Sequence, residues 1–155
     1  MMRALVVVLA AAVVVQPALG APPRALPVQR VVIETPRGAH TFKMEIAADT
    51  ESRGRGLMFR RHLARDAGML FDFQQAVMTA FWMKDTPLSL DIIFVRSDGI
   101  VTSVAAGAIP FSMAEIISPE PVRVVIEING GEARALGIGP GAKVRASAFA
   151  NLPPR

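Results

Sequence analysis

The chain has 155 residues, no cysteine, one tryptophan, two histidines and a net charge of +4. That length suits a single domain, and the missing cysteine excludes a disulfide scaffold, thiol catalysis, a zinc ribbon and a cysteine-held iron–sulfur cluster. With His40 and His62 as the whole histidine complement, no three-histidine centre can form within one chain, and the lack of a long basic run argues against nucleic acid as a partner.

Arg3 precedes an unbroken apolar run from Ala4 to Val15, and Pro17, Ala18 and Gly20 follow it. A positive start, a short apolar core and a small-residue site read as a secretory signal peptide over residues 1–20. The run is shorter than the roughly 20 residues of a spanning helix, so the protein is expected to be exported, to the periplasm or beyond, with no membrane span after cleavage. Residues 21–28 are rich in proline and predict a mobile spacer. Residues 29–150 are left as one domain.

Gln29 to Glu34 is β-branched, Pro36-Arg37-Gly38 supplies a turn, and Phe42, Met44 and Ile46 then alternate with Lys43 and Glu45. These predict a first hairpin with one buried face. Asp49 or Thr50 can cap a short helix that ends by Gly54 or Gly56. The basic stretch Arg60-Arg61-His62 with Arg65 reads as a solvated loop. From Gly68 the pattern is β again, with Met69, Phe71 and Phe73 on one face and Leu70 and Asp72 on the other. Ala80 to Met83 is extended and ends before Pro87. Asp91 to Val95 is apolar on both faces and should lie centrally, and Ser97-Asp98-Gly99 turns it into Ile100 to Val104. Val122, Val124, Ile126 and Ile128 alternate with Arg123 and Glu127. Gly130-Gly131 opens a helical turn over Glu132 to Leu136, and Lys143 to Phe149 reads as a last strand. The sum is a mainly β domain, a compact antiparallel sandwich or barrel of jelly-roll type with one or two short connecting helices.

Recognised catalytic motifs are missing: there is no Gly-x-Ser-x-Gly elbow, no His-Glu-x-x-His and no phosphate-binding glycine loop. No catalytic residue, metal site or cofactor is therefore assigned. The informative segment is Phe81 to Asp91, where a bulky apolar cluster runs into Lys84, Asp85 and Thr86 before Pro87 breaks the strand. A pocket can open at such a strand end. Trp82 reads either as a flat wall for a ligand or as a core residue. Asp85 and Asp91 could form an acid pair, although Asp91, heading an apolar strand, fits a carboxylate that accepts backbone amides or an arginine. Glu127 lies on the second face of its strand beside apolar Val125, so it is expected to be buried and to accept hydrogen bonds from backbone amides or from an arginine, Arg53 or Arg60. On that reading Glu127→Gln lowers the melting temperature sharply.

Several of these residues resemble a domain-of-unknown-function family, DUF192. Its arginine, two spaces, Gly-Leu-Met, one space and arginine correspond to Arg53, Gly56-Leu57-Met58 and Arg60. Its Gly-Met-Leu-Phe is Gly68 to Phe71, and its Phe-Trp-Met-Lys-Asn-Thr with Leu-Asp-Ile-x-Phe appears as Phe81 to Thr86 with Leu90 to Phe94. Asp85 stands where the motif has asparagine, and the later Glu-x-x-x-Gly is Glu127 to Gly131. The resemblance spans roughly residues 30–147 and implies a compact, mainly β fold, often behind a signal peptide. It implies no activity.

The functional expectation is a non-catalytic exported module that binds a small polar or anionic ligand through Arg53, Arg60, Trp82, Lys84, Asp85, Thr86 and Asp91, with Glu127 as a structural or site carboxylate. Two alternatives stay open. One is a small hydrolase or lyase, of glycoside type, using Asp85 and Asp91 or Glu127 as acid and base. The other is a domain that docks an envelope protein through an exposed apolar patch.

Overall fold

A computed structural model describes residues 25–150 of the chain; the expected signal peptide lies outside the described residues. Strands β1 (Val28–Thr35) and β2 (Gly38–Ala47) form the first hairpin, in register from Val28 opposite Glu45 to Thr35 opposite Gly38. The alternation expected of β2 is present, with Phe42 and Met44 buried and Lys43 exposed. The strand starts one residue inside the expected spacer, and the Ile46 amide donates to the Pro27 carbonyl at 2.8 Å. The end of the spacer is tied down because β2 is long enough to use it.

Helix α1 (Thr50–Arg55) follows, capped as its sequence predicts. The Asp49 carboxylate accepts the Ser52 amide at 2.8 Å, and the Ser52 hydroxyl oxygen accepts the Asp49 amide at 3.3 Å. Such a cap contributes about 1 kcal/mol, enough to matter in six residues that could not be helical alone. Gly56 ends the helix at φ 50°, and a Cβ there would stand 3.3 Å from the Phe71 ring.

Strand β3 (Ala67–Val77) then lies parallel to β2, from Lys43 opposite Ala67 to Ala47 opposite Phe71. Hairpin spacing predicts antiparallel neighbours throughout, and this pair departs from it. Residues 48–66 are long enough for a crossover and bring the chain back in the same direction. The remaining strands are β4 (Ala80–Phe81), β5 (Leu90–Val95), β6 (Val101–Ala108), β7 (Ile116–Ile117), β8 (Val122–Asn129) and β9 (Lys143–Arg145). Helix α2 (Glu132–Leu136) follows β8. The last strand is shorter than predicted: after Arg145 the chain forms a 3-10 turn over Ser147–Phe149, which places the buried Phe149 ring 5.9 Å from the Arg123 guanidinium.

Seven strands make one curled sheet in the order β6-β5-β8-β3-β2-β1-β9, and β4 and β7 pair apart from it. The curl gives a half-barrel, and its two edges meet at one end, where Ile100 bridges to Lys143 and the Val101 amide donates to Ala142 at 2.9 Å. The fold is mainly β with two short helices, as expected. Both faces of the sheet are covered, and every residue of β5 is buried. Leu70, Ile93, Val124, Ile126 and Phe149 pack on one face, within the curl. Met69, Phe71, Ile92, Phe94 and Val125 pack on the other, beneath Leu57 and Met83. The two faces share the strand backbones and no side chains, since successive residues point oppositely. That division decides which polar residues can meet.

Candidate functional site

Glu45, Met69, Glu127 and Ile92 stand opposite one another across β2, β3, β8 and β5. Directly opposed residues project from the same face of a sheet, so Glu127 belongs to the face of Phe71 and Phe94. It is 5% exposed. Its neighbours in the row, Met69 and Ile92, are apolar and cannot hydrogen-bond it. Among the described residues its carboxyl has no hydrogen-bond or ion-pair partner. Burial pushes its pKa up to about 8, because the low-dielectric surroundings disfavour the charged form. Glu127 is therefore mainly protonated at neutral pH, a carboxyl that can donate a hydrogen bond and become an anion when something cationic arrives.

The expectation that Arg53 or Arg60 neutralises Glu127 does not hold. The Arg53 guanidinium donates to the Ala48 and Asp72 carbonyls at 2.5 and 3.1 Å and stands 5.3 Å from the Phe73 ring centroid, which ties α1 to β3. Arg60 makes a two-pronged ion pair with Glu45 at 2.5 and 2.6 Å. Both cations are spent on groups nearer in the chain's path, and Met69 stands between Glu45 and Glu127.

Glu127 lines a cavity of about 360 Å³. Helix α1 contributes Arg53 and Arg55 to its wall, the helix end contributes Gly56, Leu57 and Met58, and β3 contributes Phe71 and Phe73. The segment from Ala80 to Thr86 supplies Phe81, Trp82 and Thr86. The Phe81 ring meets Phe71 edge-on at 4.9 Å and Phe94 at 6.4 Å, a geometry that ring quadrupoles favour. This wall is rigid and apolar. Trp82 is 46% exposed and stands at the cavity instead of in the core.

Backbone hydrogen bonds hold the segment against local strain. Phe59, Asp85 and Phe111 all have positive φ, at 65°, 52° and 61°, a conformation unusual for bulky side chains. The Phe59 amide donates to the Asp85 carbonyl at 2.7 Å and the Phe111 amide to the Thr86 carbonyl at 3.1 Å. Three strained residues thus converge where Thr86 enters the wall, and the Thr86 hydroxyl donates to the Lys84 carbonyl at 3.0 Å. Strain concentrated in one place is a common companion of a functional site.

Of the residues singled out from the sequence, Arg53, Trp82, Thr86 and Glu127 line this one cavity. Lys84 does not line it, but its ammonium lies 5.6 Å from the Trp82 ring centroid. Arg60 lines a second cavity, of about 610 Å³, on the other side of Gly56 and Met58. There Glu45 is paired by Arg60, and Asp49 is occupied by the helix cap, so its acids already have partners or, like Glu51, stand exposed. Asp85 contributes a turn conformation, which asparagine shares, and this accounts for asparagine in the motif.

Asp91 points to the opposite face. It is fully buried and accepts the amides of Gly107, Gly131 and Ala133 at 2.8, 3.0 and 2.8 Å, which anchors the start of α2, as an amide-accepting carboxylate was expected to do. Asp91 is opposite Ile128 while Glu127 is opposite Ile92, so the sheet separates the two carboxyls and they cannot work as an acid–base pair. The sequence reading placed a pocket at the segment that begins with Phe81 but missed Phe71, Phe73 and Met58 as cavity walls. The alternation of Met69, Phe71 and Phe73 puts them on one face, but only the pairing of β3 with β8 shows that this is the face of Glu127.

The model of the DUF192 family, described as an uncharacterised ACR, matches residues 32–146. The chain belongs to the DUF192 family. Two solved structures resemble the DUF192 chain closely. A protein from Sinorhizobium meliloti 1021, described as a candidate transcription regulator, shares 39% identity at a TM-score of 0.79, covering 82% of this chain and 99% of that one. A protein of unknown function from Novosphingobium aromaticivorans DSM 12444 shares 39% identity at a TM-score of 0.77, covering 88% and 94%. No curated protein matches the chain. The DUF192 motif residues divide between wall and support. Arg53, Gly56-Leu57-Met58, Phe71, Phe81-Trp82 and Glu127 line the cavity, while Gly68 sits where a Cβ would stand 2.4 Å from the Glu127 carbonyl.

Proposed function

We propose that this DUF192 protein is a ligand-binding module and that its site is the cavity over Glu127. The observation that carries the reading is a carboxyl that has no partner among the described residues and faces an open cavity walled by rings. The carboxyl opens onto the cavity and meets no group among the described residues, so it has a hydrogen bond still to make. A ligand that meets the carboxyl supplies one. The cavity's volume lies within the range of small-molecule sites, and its lining of aromatic residues with a few polar groups has the usual composition. Export remains part of the proposal and rests on Arg3 and the apolar run that follows it; fractionating cells and sequencing the amino terminus of the mature protein tests it.

The test of binding is a thermal-shift screen of sugars, nucleotides, amines and cell-envelope fragments against the folded protein. A ligand at 100 times its Kd adds about 2.7 kcal/mol of stability, and the shift should be lost in Trp82→Ala and Phe81→Ala. No shift from any class, with protein shown to be folded, removes the reading. The partner-domain alternative keeps one observation in its favour: Phe59, Ile109 and Phe111 are each more than 60% exposed. Replacing Phe59 and Phe111 with serine should leave ligand binding intact if that surface serves a protein partner.

A further inference from the structure

We propose that the cavity takes a small organic ammonium ion, with its N–H groups on the Glu127 carboxylate and its hydrocarbon against Phe71, Phe81 and Trp82. This rests on the cavity being a binding site and names the chemical class that fits it. Three features decide between a cation, an anion and a neutral ligand.

The first is the donor set. Glu127 is the one carboxyl among the cavity-lining residues, and the other side-chain oxygens there belong to Thr50, Thr79 and Thr86. A hard metal ion takes six or more oxygen ligands, whereas a primary ammonium needs one good acceptor and an apolar bed for its carbon chain. The second is the walls. Rings present their negative faces to a cation, and this molecule already places two cations on rings nearby: Arg53 on Phe73 and Lys84 on Trp82. The third is the state of the cations in the wall. An anionic ligand would need Arg53 or Arg55; the Arg53 guanidinium is held by the Ala48 and Asp72 carbonyls and by Phe73, and Arg55 is exposed to solvent.

The charged groups around Glu127 are few. From α1 come Arg53, already held, and Arg55, exposed. From β3 and β5 the facing residues are Met69 and Ile92, and from the Ala80–Thr86 segment the lining residues are uncharged. Glu45, further along the row, is paired with Arg60. Burial alone sets the protonation of Glu127, so an arriving ammonium meets a carboxyl that no cation among the described residues has claimed. Binding then proceeds as a balanced exchange: the carboxyl proton leaves to solvent, the carboxylate forms, and the ammonium N–H groups donate to it.

Titration calorimetry with benzylammonium, benzyl alcohol and benzoate tests this on the full folded chain, run at pH 7 in two buffers of different ionisation enthalpy. Benzylammonium should bind at least tenfold tighter than either counterpart, release close to one proton per molecule bound, and tighten as pH rises from 6 to 7. Glu127→Gln should remove the proton release and weaken benzylammonium at least tenfold, while leaving benzyl alcohol unchanged. Proton release from the parent protein is a readout that does not depend on the variant folding. Equal affinities for benzyl alcohol and benzylammonium, tighter binding of benzoate, or benzylammonium binding without proton release would each overturn the assignment. Benzoate or benzyl alcohol binding at least as tightly as benzylammonium, with shifts of the Phe81 and Trp82 ring resonances, would keep the cavity as a site and discard only the cation. Silence from all three probes, followed by silence in the broader screen, discards both.

Discussion

Glu45 and Glu127 lie in one row on one face of the sheet, two strands apart with Met69 between them, and among the described residues only Glu45 has a cation. Adjacent strands are about 4.8 Å apart, so the two residues' backbone positions are separated by about 10 Å, and Arg60 bonds the nearer carboxyl with both prongs. Arg60 comes from the crossover that follows α1 and reaches the β2 side of the row. The β8 side opens instead onto the ring-walled cavity.

Glu127 should make the protein less stable as pH rises. Its folded-state pKa, about 8, lies above the ordinary carboxylate value, so the folded state keeps a proton that the unfolded chain releases above about pH 4.5. Stability is therefore highest below that pH, falls through the window up to about 8 and is flat above it. The full effect is about 5 kcal/mol at 1.36 kcal/mol per pH unit. Urea denaturation across pH 4 to 9 measures it. Glu127→Gln should flatten this dependence, matching the parent at pH 4 and exceeding it at pH 9. That reverses the sharp loss expected if an arginine had paired with Glu127; a variant less stable than the parent at pH 9 would restore the paired reading.

Asp91 should behave as architecture. It accepts three amides, that of Ala133 buried and those of Gly107 and Gly131 nearer the surface, which join β6, the Gly130-Gly131 turn and the start of α2 to β5. Leaving a buried donor unpaired costs about 1–3 kcal/mol, so Asp91→Ala, which strands the Ala133 amide, should lose about 1–3 kcal/mol, read as a fall in Tm. Ligand binding by whatever protein remains folded should be unaffected, since Asp91 is on the other face.

Gly68→Ala should damage the site through its floor. The added Cβ would stand 2.4 Å from the Glu127 carbonyl and 2.7 Å from the Met44 sulfur. Backbone cannot yield as a flexible side chain can, so the β3–β8 pairing must spread. We expect a loss of about 3 kcal/mol or more, at the upper end for overpacking, together with weaker binding in the cavity. A variant with parental Tm would show the contact to be softer than its geometry implies.

Asp85 tests the turn. Asp85→Asn restores the motif residue, keeps the positive φ accessible and should change stability by less than about 0.5 kcal/mol. Asp85→Val places a β-branched residue at φ 52° and should cost about 1–2 kcal/mol. If asparagine instead alters ligand affinity with Tm unchanged, the side chain itself contacts the ligand.

The hairpin β1–β2, the Asp49 cap, the turn at Ser97-Asp98-Gly99 and the buried character of Leu90–Val95 are all legible in the sequence, because each depends on residues a few positions apart. The alternation around Glu127 likewise predicts its burial. Strand pairing is not local, and the sequence does not reveal it: β2 with β3 in parallel, and β3 with β8 in a register that sets Met69 opposite Glu127. Those pairings send Asp91 and Glu127 to opposite faces, leave Arg53 on backbone carbonyls and Arg60 on Glu45, and bring Phe71, Phe81 and Trp82 around one carboxyl. Short-range sterics and periodicity determine which residues are strands, turns and caps. Which charges meet, and which one is left alone in a cavity, is decided by contacts across the sheet that only the tertiary fold creates.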